Sequence, residues 1–260
     1  MSDKAIPAAT VILLRDEPSF EVLMVERHAD IGFAGGALVF PGGRIDAGDA
    51  DPRWAHHARG LDARYASAQV AAIREAFEET GLLIAREADD QEGSIVGAER
   101  AAALQHWRGD VEADDSAFLE MIASGGLALA CDALALFAHW IGPSGAPKRF
   151  DTLFFAACCP VGQVAREDGR EATDVVWFAP DAAITARARD ERKIIFPTAR
   201  NLELLALSDS AEGVLASARQ RRIEPITPFV RKRDGVAVLV IPEGLGYPIT
   251  EEPLETAMRG

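Results

Sequence analysis

Residues 67–82 (SAQVAAIREAFEETGL) constrain the chain most, because their apolar positions follow a helical period. At about 100° per residue, three bulky apolar side chains fall on one face, namely Val70, Ile73 and Phe77. Ser67 is suited to cap the start of this helix, and Gly81 is suited to end it. We therefore expect a short, well-bounded helix with one buried face.

The opposite face of this helix carries three carboxylates. Glu75 and Glu79, four residues apart, stack on each other, and Glu78 lies beside them. Carboxylates at this spacing repel one another, and a divalent cation held by oxygen ligands would relieve the repulsion. The alternative is a solvated acidic face, which is the interpretation that the helix taken alone favours.

A glycine-rich segment lies upstream, Phe40-Pro41-Gly42-Gly43. It favours a metal site over a solvated acidic face. Glycines permit unusual backbone angles and leave amides free for a phosphate or for the helix that follows. Together the two segments resemble the Nudix box, G-x5-E-x7-R-E-U-x-E-E-x-G-U, in which U is a bulky apolar residue. The matching positions are Gly43, Arg74-Glu75, Glu78-Glu79 and Gly81-Leu82.

The box is interrupted. Asp49 stands where the family has Glu, and 24 residues separate it from Arg74, where the family has seven. Without residues 50–66 the spacing would be seven, so we interpret this segment as an insertion. A surface flap that contacts the substrate and an inert solvated loop stay open as interpretations of it.

A wider resemblance, over about residues 11–160, indicates one branch of the family. Three segments carry it: GFAGGALVFPGGRID (32–46), HWRGDVEADDSAFLEMI (106–122) and the strand that begins RFDT at Arg149. They are similar to the animal peroxisomal Nudix enzymes that cleave coenzyme A and its esters, and to their bacterial relatives. The coenzyme A pattern also has an arginine and a histidine shortly before G-x3-F-P-G-G. Residues 31–35 contain neither, so we expect measurable but not outstanding cleavage of coenzyme A, with ADP-ribose or a dinucleotide as the nearest competitor.

The resemblance implies an α/β fold, the Nudix α/β/α sandwich with a mixed sheet, a helical insertion and a C-terminal extension. We expect one domain over residues 1–260, with a core at about 8–190, the insertion at 50–66, a helical region at 95–130, and C-terminal helices with a hairpin at 191–260. Hydrophobic periodicity predicts strands at 8–15 and 20–27 and helices at 180–189, 198–207 and 211–221. Trp107 and Trp140 could stack on a base, but core positions are favoured.

The resemblance also implies metal-dependent hydrolysis of a pyrophosphate bond. Glu75 and Glu79 would be the main ligands of Mg²⁺ or Mn²⁺, with Glu78 near them and Arg74 orienting the glutamates. The expected substrate contacts are Gly42, Gly43, Arg27 and Arg149. Arg149 holds a phosphate or pairs with a carboxylate such as Asp151, and both alternatives stay open.

Glu171 and Asp174 precede an aromatic residue in a late strand and are candidates for the general base or an additional ligand. A solvated strand end is the alternative for at least one of them. A Nudix domain that binds nucleotides without cleaving them, as a regulator, is the second functional hypothesis. A product assay with Mg²⁺ separates it from the enzyme.

Composition bears on partners and compartment. A formal net charge of −14 argues against general nucleic-acid binding, because affinity for phosphate backbones comes largely from Lys and Arg. No apolar run reaches the length of a membrane span, and the first residues show no signal-peptide pattern. Three cysteines, two of them adjacent, favour a reducing cytoplasm over a disulfide framework. We expect a small nucleoside diphosphate substrate, and a homodimer stays open.

Overall fold

The computed structural model describes residues 4–29, 34–90, 93–145, 148–170 and 172–258. The strands in these ranges are β1 (Ile6–Arg15), β2 (Glu21–Arg27), β3 (Leu38–Val39), β4 (Gly42–Arg44), β5 (Ala58–Arg59), β6 (Ala85–Glu87), β7 (Leu127–Ala130), β8 (Ala135–Ile141), β9 (Phe150–Cys158), β10 (Ala172–Phe178), β11 (Pro225–Ile226), β12 (Phe229–Arg233), β13 (Val236–Val240) and β14 (Glu251–Pro253). The helices are α1 (Trp54–His57), α2 (Ala66–Thr80), α3 (Ala98–Ala103), α4 (Arg108–Ala113), α5 (Ala117–Ser124), α6 (Pro180–Ala188), α7 (Phe196–Leu205), α8 (Ala211–Gln220) and α9 (Leu254–Ala257).

A mixed sheet forms the centre of the fold, with the order β10-β2-β1-β9-β8-β11. Strand β3 adds to β2, and β4 adds to β1. Strands β1 and β9 run parallel, whereas β2 pairs antiparallel with β1 and β8 with β9. The predicted α/β class with a mixed sheet is therefore confirmed.

Both faces of the sheet are covered, which explains why β1 is apolar without a gap from Val11 to Leu14. Val11 and Leu13 point to the core that contains α2, and Ile12 and Leu14 point to the core that contains α7 and α8. Because successive side chains alternate between faces, a strand that is buried on both sides needs an apolar residue at every position. This arrangement makes α2 and α7 lie on opposite sides of the sheet.

Helix α2 ends as predicted and begins differently. Gly81 adopts a left-handed conformation (φ 73°), and its N–H donates to the Phe77 carbonyl at 2.9 Å. That conformation suits glycine, so Gly81 stops the helix. The start is at Ala66, after Tyr65, and no side chain among the described residues caps it. The prediction that Ser67 caps the helix was therefore wrong.

The insertion at 50–66 is anchored to the core by one buried residue, whereas the rest of it is exposed or half-buried. Trp54 is only 2% exposed, and its ring lies 5.6 Å from that of Phe118, centroid to centroid. The indole Nε1 donates to the Gly48 carbonyl at 2.8 Å. Strand β5 within the insertion pairs with β7. The insertion thus joins the helical region around α5, because Trp54 buries its ring there.

The C-terminal elements lie close to the predicted ranges. The helices predicted at 180–189, 198–207 and 211–221 correspond to α6, α7 and α8. Trp140 is buried, and its Nε1 donates to Tyr247 and Asn201, so it is a core residue as favoured. Among the described residues, no helix combines the length and the apolar character needed to cross a bilayer.

Candidate active site

Helix α2 carries its acidic residues into the interior. Glu75 is 7% exposed and Glu79 only 3% exposed, and Arg74 beside them is 5% exposed. The interpretation of this face as solvated is therefore wrong for both glutamates. Buried carboxylates need a partner that offsets the loss of hydration.

Arg74 is that partner, and it links three carboxylates. Its Nε and Nη2 donate to the two oxygens of Asp49 at 2.9 Å each. Its Nη1 donates to Oε1 of Glu75 and to Oε1 of Glu78, also at 2.9 Å. Its Nη2 donates in addition to the Arg44 carbonyl. The guanidinium thus orients Glu75 and Glu78. Its positive charge offsets part of the electrostatic repulsion among the carboxylates.

Asp49 reaches this cluster although 24 residues separate it from Arg74. It is 3% exposed, and its Oδ2 also accepts from the Asp46 amide at 2.8 Å. Asp46 itself lies 3.5 Å from Arg74. Four carboxylates therefore share one guanidinium, so the cluster keeps an excess of negative charge when all four are ionised.

Burial shifts the acid–base properties of these groups. Loss of hydration raises the pKa of Asp49, Glu75 and Glu78 above the ordinary values, although Arg74 opposes the shift. Burial acts to lower the pKa of Arg74, but Asp49, Glu75 and Glu78 raise it overall. Arg74 is therefore permanently charged, and the carboxylates take up protons more readily than in water.

Two glycines let the preceding loop approach the helix closely. A Cβ at Gly43 would lie 2.4 Å from Oε1 of Glu75, and a Cβ at Gly42 would lie 2.5 Å from the carbonyl oxygen of Ala9 in β1. The Gly42 amide donates to Oε2 of Glu79 at 3.1 Å. The glycines are required here because the loop packs between β1 and α2 with no room for a side chain.

A cleft of about 540 Å³ opens beside this cluster. Its floor consists of alternate residues of β1 and β9, which the parallel register places side by side: Ile6 with Phe150, Ala8 with Thr152, and Thr10 with Phe154. Glu75, Glu78 and Arg74 line it from α2, and Ile195 and Thr198 line it from the start of α7. The cleft therefore has an acidic wall and a floor that is largely apolar.

The structure brings most of the predicted site residues to this cleft. Those that line it are Glu75, Glu78, Arg74, Gly42, Gly43 and Arg27. Arg27 is notable because its Nε is buried and has no hydrogen-bond partner among the described residues. An arginine in that environment is suited to bind an anion that enters the cleft.

Other predicted residues lie elsewhere. Glu79 is buried behind the loop, with Oε2 accepting from Gly42, and is not among the described residues that line the cleft. Arg149 donates from Nε to the Gly142 carbonyl at 2.7 Å, while Asp151 pairs with His139. Asp174 is exposed on β10 and does not line the cleft either. Glu171 lies outside the described residues.

Several residues that line the cleft were not predicted from the sequence. Phe150, Thr152 and Phe154 follow a strand period of two, a signal that could have identified one face of β9. Thr198 had no such signal, because only the packing of α7 against the sheet brings it to the cleft. Glu112 and Asp115 come from the helical insertion and add to the acidic wall.

The side chains near the cleft can be compared with the ligands that a divalent cation prefers. Among the described residues, no group of three or more His, Cys, Asp or Glu side chains is placed to hold a metal. Glu75 and Glu78 nevertheless offer carboxylate oxygens to the cleft, and their cluster has more negative charge than Arg74 offsets. Hard oxygen donors with surplus negative charge are what Mg²⁺ and Mn²⁺ prefer. The residues therefore fit such an ion by donor type and charge.

Comparison with known proteins gives consistent results. The model of the NUDT19 Nudix domain matches residues 62–204. Acyl-coenzyme A diphosphatase NUDT19 of Xenopus laevis is 26% identical over 205 residues, which cover 64% of this chain and 54% of that protein. The human protein of the same name is 28% identical over 204 residues, covering 63% and 54%. The chain thus spans about half the length of these curated relatives.

One solved structure is similar over most of both chains. It is the crystal structure of a NUDIX hydrolase from Alicyclobacillus acidocaldarius, with a TM-score of 0.71 and 26% sequence identity. The match covers 82% of this chain and 96% of that one. The similarity therefore extends over most of the fold.

Proposed function

The chain belongs to the NUDT19 Nudix domain family, and on this basis we propose that it hydrolyses the pyrophosphate bond of a nucleoside diphosphate derivative, with coenzyme A or an acyl-coenzyme A as substrate. One observation carries the proposal most directly. Arg74 holds Glu75 and Glu78 side by side on the wall of a cleft that is large enough for a nucleotide.

A divalent cation, Mg²⁺ or Mn²⁺, would be held by Glu75 and Glu78, with Glu79 behind them. When bound, it would supply positive charge against the diphosphate and make water more acidic. The box predicts Glu75 and Glu79 as the main ligands with Glu78 near them, and we give the place of Glu79 to Glu78 because Glu75 and Glu78 are the pair that faces the cleft.

The side chains of the protein have distinct tasks in this proposal. Asp49 fixes the guanidinium of Arg74 with two hydrogen bonds, and Arg74 fixes Glu75 and Glu78. Such positioning matters because small displacements of reacting groups lower rates steeply. The Nε of Arg27 is buried and has no partner among the residues that the structure describes, so Arg27 would bind a phosphate oxygen of the diphosphate in the cleft.

The decisive experiment compares kcat/KM for coenzyme A, acetyl-coenzyme A, dephospho-coenzyme A, ADP-ribose, NADH and 8-oxo-dGTP, each with Mg²⁺ and with Mn²⁺. We expect coenzyme A to give 4′-phosphopantetheine and 3′,5′-ADP. A clear preference for 8-oxo-dGTP would overturn the coenzyme A assignment. No cleavage across the panel would favour a nucleotide-binding regulator.

Two variants with one control test the residues. Glu75→Gln and Glu78→Gln should lose at least about a hundredfold in rate while remaining folded, because a neutral amide is a weaker ligand of a hard cation. Glu120→Gln is the matched control, since Glu120 is exposed on α5 and does not line the cleft. A near-normal rate for Glu75→Gln with Mg²⁺ would contradict the ligand assignment.

Metal binding can also be measured without turnover. An ion that binds the folded state at ten times its Kd adds about 1.4 kcal/mol to the free energy of unfolding. That corresponds to a rise of a few degrees in Tm. Changing Glu75, Glu78 and Glu79 to Gln together should abolish the rise. The cytoplasmic location and the homodimer stay predictions.

A further inference from the structure

The last turn of α2 carries two of the three carboxylates of the box, those of Glu78 and Glu79. A helix opens most easily at its ends, because its last four carbonyl groups have no intrahelical partner. A carboxylate is also disfavoured there, since the carbonyl end of a helix carries partial negative charge. Side chains in this turn therefore keep their positions only if other segments support the end of the helix.

The Glu78 carbonyl loses its usual partner where the helix ends. In a continuing helix it would accept from the amide of Leu82, four residues further on. Gly81 turns the chain with its positive φ, and the Leu82 amide donates instead to Oγ1 of Thr80 at 3.3 Å. The Glu78 carbonyl therefore needs a donor from another segment of the chain.

Arg108, the first residue of α4, supplies that donor. Its Nε and Nη2 both donate to the Glu78 carbonyl, at 3.1 Å and 2.7 Å. Its Nη2 also donates to the Arg166 carbonyl at 3.1 Å, and its Nη1 donates to the Glu167 carbonyl at 3.4 Å. Hydrogen bonds from a charged donor are stronger than those between neutral groups. One guanidinium thus joins the end of α2 to the segment that follows β9.

Two further contacts complete the support of this helix end. The Arg166 amide donates to the Thr80 carbonyl at 2.8 Å. Nε2 of Gln105 donates to the Gly81 carbonyl at 2.9 Å. The end of α2 is therefore held from two sides, by the helical region that contains α4 and by the segment that follows β9.

From these contacts we infer that Arg108 is a positioning residue, which keeps the last turn of α2 closed and thereby holds the Glu78 carboxylate beside that of Glu75 for cation binding. The inference rests on the proposed function, in which Glu75 and Glu78 hold the divalent cation.

The two arginines at α2 have different tasks. Arg74 fixes the carboxylates of Glu75 and Glu78 directly. Arg108 fixes the backbone that carries one of them. Both tasks matter because a pair of ligands binds a cation well only when it is held close to the geometry of the bound state.

The test uses the full chain and two variants of one residue. Arg108→Met removes the donors and keeps an unbranched stem that can pack as the arginine stem does. Arg108→Lys keeps the charge and a donor, so it should restore most of what Arg108→Met loses. The control is Arg100→Met, because Arg100 donates to the Gly125 carbonyl at the end of α5, a helix that carries no proposed ligand. Thermal unfolding checks that each variant is folded.

The first measurement is amide hydrogen exchange in EDTA, which needs neither metal nor substrate. In the parent, the amides of residues 78–80 should exchange no more than about tenfold faster than those of residues 72–74 in the middle of α2. One hydrogen bond from a charged group corresponds to roughly a ten- to hundredfold change in an equilibrium, so Arg108→Met should accelerate exchange at 78–80 by about that factor and leave 72–74 unchanged. Parent amides at 78–80 that exchange a hundredfold faster than those at 72–74 would overturn the inference. That comparison needs no variant, so it decides even if Arg108→Met does not fold.

The second measurement is the Kd of Mn²⁺, followed by electron paramagnetic resonance without substrate. Groups that orient metal ligands typically contribute ten- to hundredfold to metal affinity. The Kd should therefore rise by about tenfold in Arg108→Met, by less than about threefold in Arg108→Lys, and not at all in Arg100→Met. An equal Kd in the parent and in Arg108→Met would overturn the positioning role, and so would an equal rise in Arg108→Met and Arg100→Met.

Assays of hydrolysis on the same samples separate this inference from the proposed function. If Mn²⁺ binding depends on Arg108 but no substrate is cleaved, the positioning role stands and the proposed hydrolysis fails. If coenzyme A is cleaved but Mn²⁺ binding does not depend on Arg108, the hydrolysis stands and the positioning role fails. A parent protein that binds no Mn²⁺ would overturn the ligand assignment and the positioning role together.

Discussion

Replacing Gly43 with alanine tests whether the position of the Glu75 carboxylate controls activity. The added methyl carbon would lie 2.4 Å from Oε1 and 2.6 Å from the carboxyl carbon of Glu75, whereas ordinary contacts begin at 3.4 Å. The carboxylate must therefore move by about 1 Å, and a displacement of that size at a reacting group costs on the order of 10²-fold in rate. The same movement strains the 2.9 Å hydrogen bond from Arg74 to Oε1.

Two other glycine substitutions separate an effect on catalytic activity from an effect on folding. Gly97→Ala is the control, because a Cβ at Gly97 meets nothing within 4 Å. Gly42→Ala should instead unfold the protein at lower temperature, since its Cβ would lie 2.5 Å from the backbone oxygen of Ala9. We expect Gly43→Ala to lose about a hundredfold in kcat with Mg²⁺ while its Tm stays within a few degrees of the parent.

The assay is steady-state hydrolysis of the best substrate, with the Mg²⁺ concentration varied for each variant. Thermal unfolding is measured on the same samples. A kcat for Gly43→Ala within threefold of the parent, with an unchanged Mg²⁺ dependence, would refute the assignment of Glu75 to the reacting centre. Equal losses in Gly43→Ala and Gly97→Ala would show that the loss does not depend on the contact between Gly43 and Glu75.

Three further predictions concern stability. Asp49→Asn weakens two buried hydrogen bonds with Arg74, which keeps Glu75 and Glu78 as partners, and should lower the free energy of unfolding by about 1–3 kcal/mol, measured by urea unfolding. Trp54→Ala should cost about 3–5 kcal/mol in the same assay, because the ring is buried in the core. Burial raises the pKa of Glu203 to about 7 from an ordinary value of 4.5, so the folded state holds its proton more tightly than the unfolded state. Stability should therefore fall as pH rises from about 4.5 to 7, and Glu203→Gln should remove this contribution.

Each of these has an outcome that contradicts it. An Asp49→Asn protein as stable as the parent would mean that the pair with Arg74 contributes nothing. A Trp54→Ala protein with an unchanged urea midpoint would restore the interpretation of the insertion as a solvated loop. For Glu203→Gln, the decisive quantity is the difference in stability from the parent. If that difference is the same at pH 4.5 and pH 8, the pKa of Glu203 is not raised in the folded protein.

The sequence determined the elements whose signals are local. The end of α2 at Gly81, the hairpin of β1 and β2, and the three helices α6 to α8 could be predicted from periodicity and turn residues. These signals are reliable because they are local. The hydrophobic pattern of a helix or strand repeats every few residues, and a glycine with positive φ ends the helix that directly precedes it. The spacing of Arg74, Glu75 and Glu78 also brings these three side chains close together, since they lie within about one turn of a helix.

Only the tertiary structure decided which groups meet across the chain. Asp49 reaches Arg74 over an intervening segment of 24 residues, which is possible because Trp54 folds that segment into the core. Glu79, on the same helix as Glu75, turns to the Gly42 amide instead of the cleft. Thr198 comes to the cleft only because α7 packs on the far face of the sheet. These outcomes depend on contacts between distant segments, whose geometry is set by close packing of both faces of the sheet rather than by any local pattern.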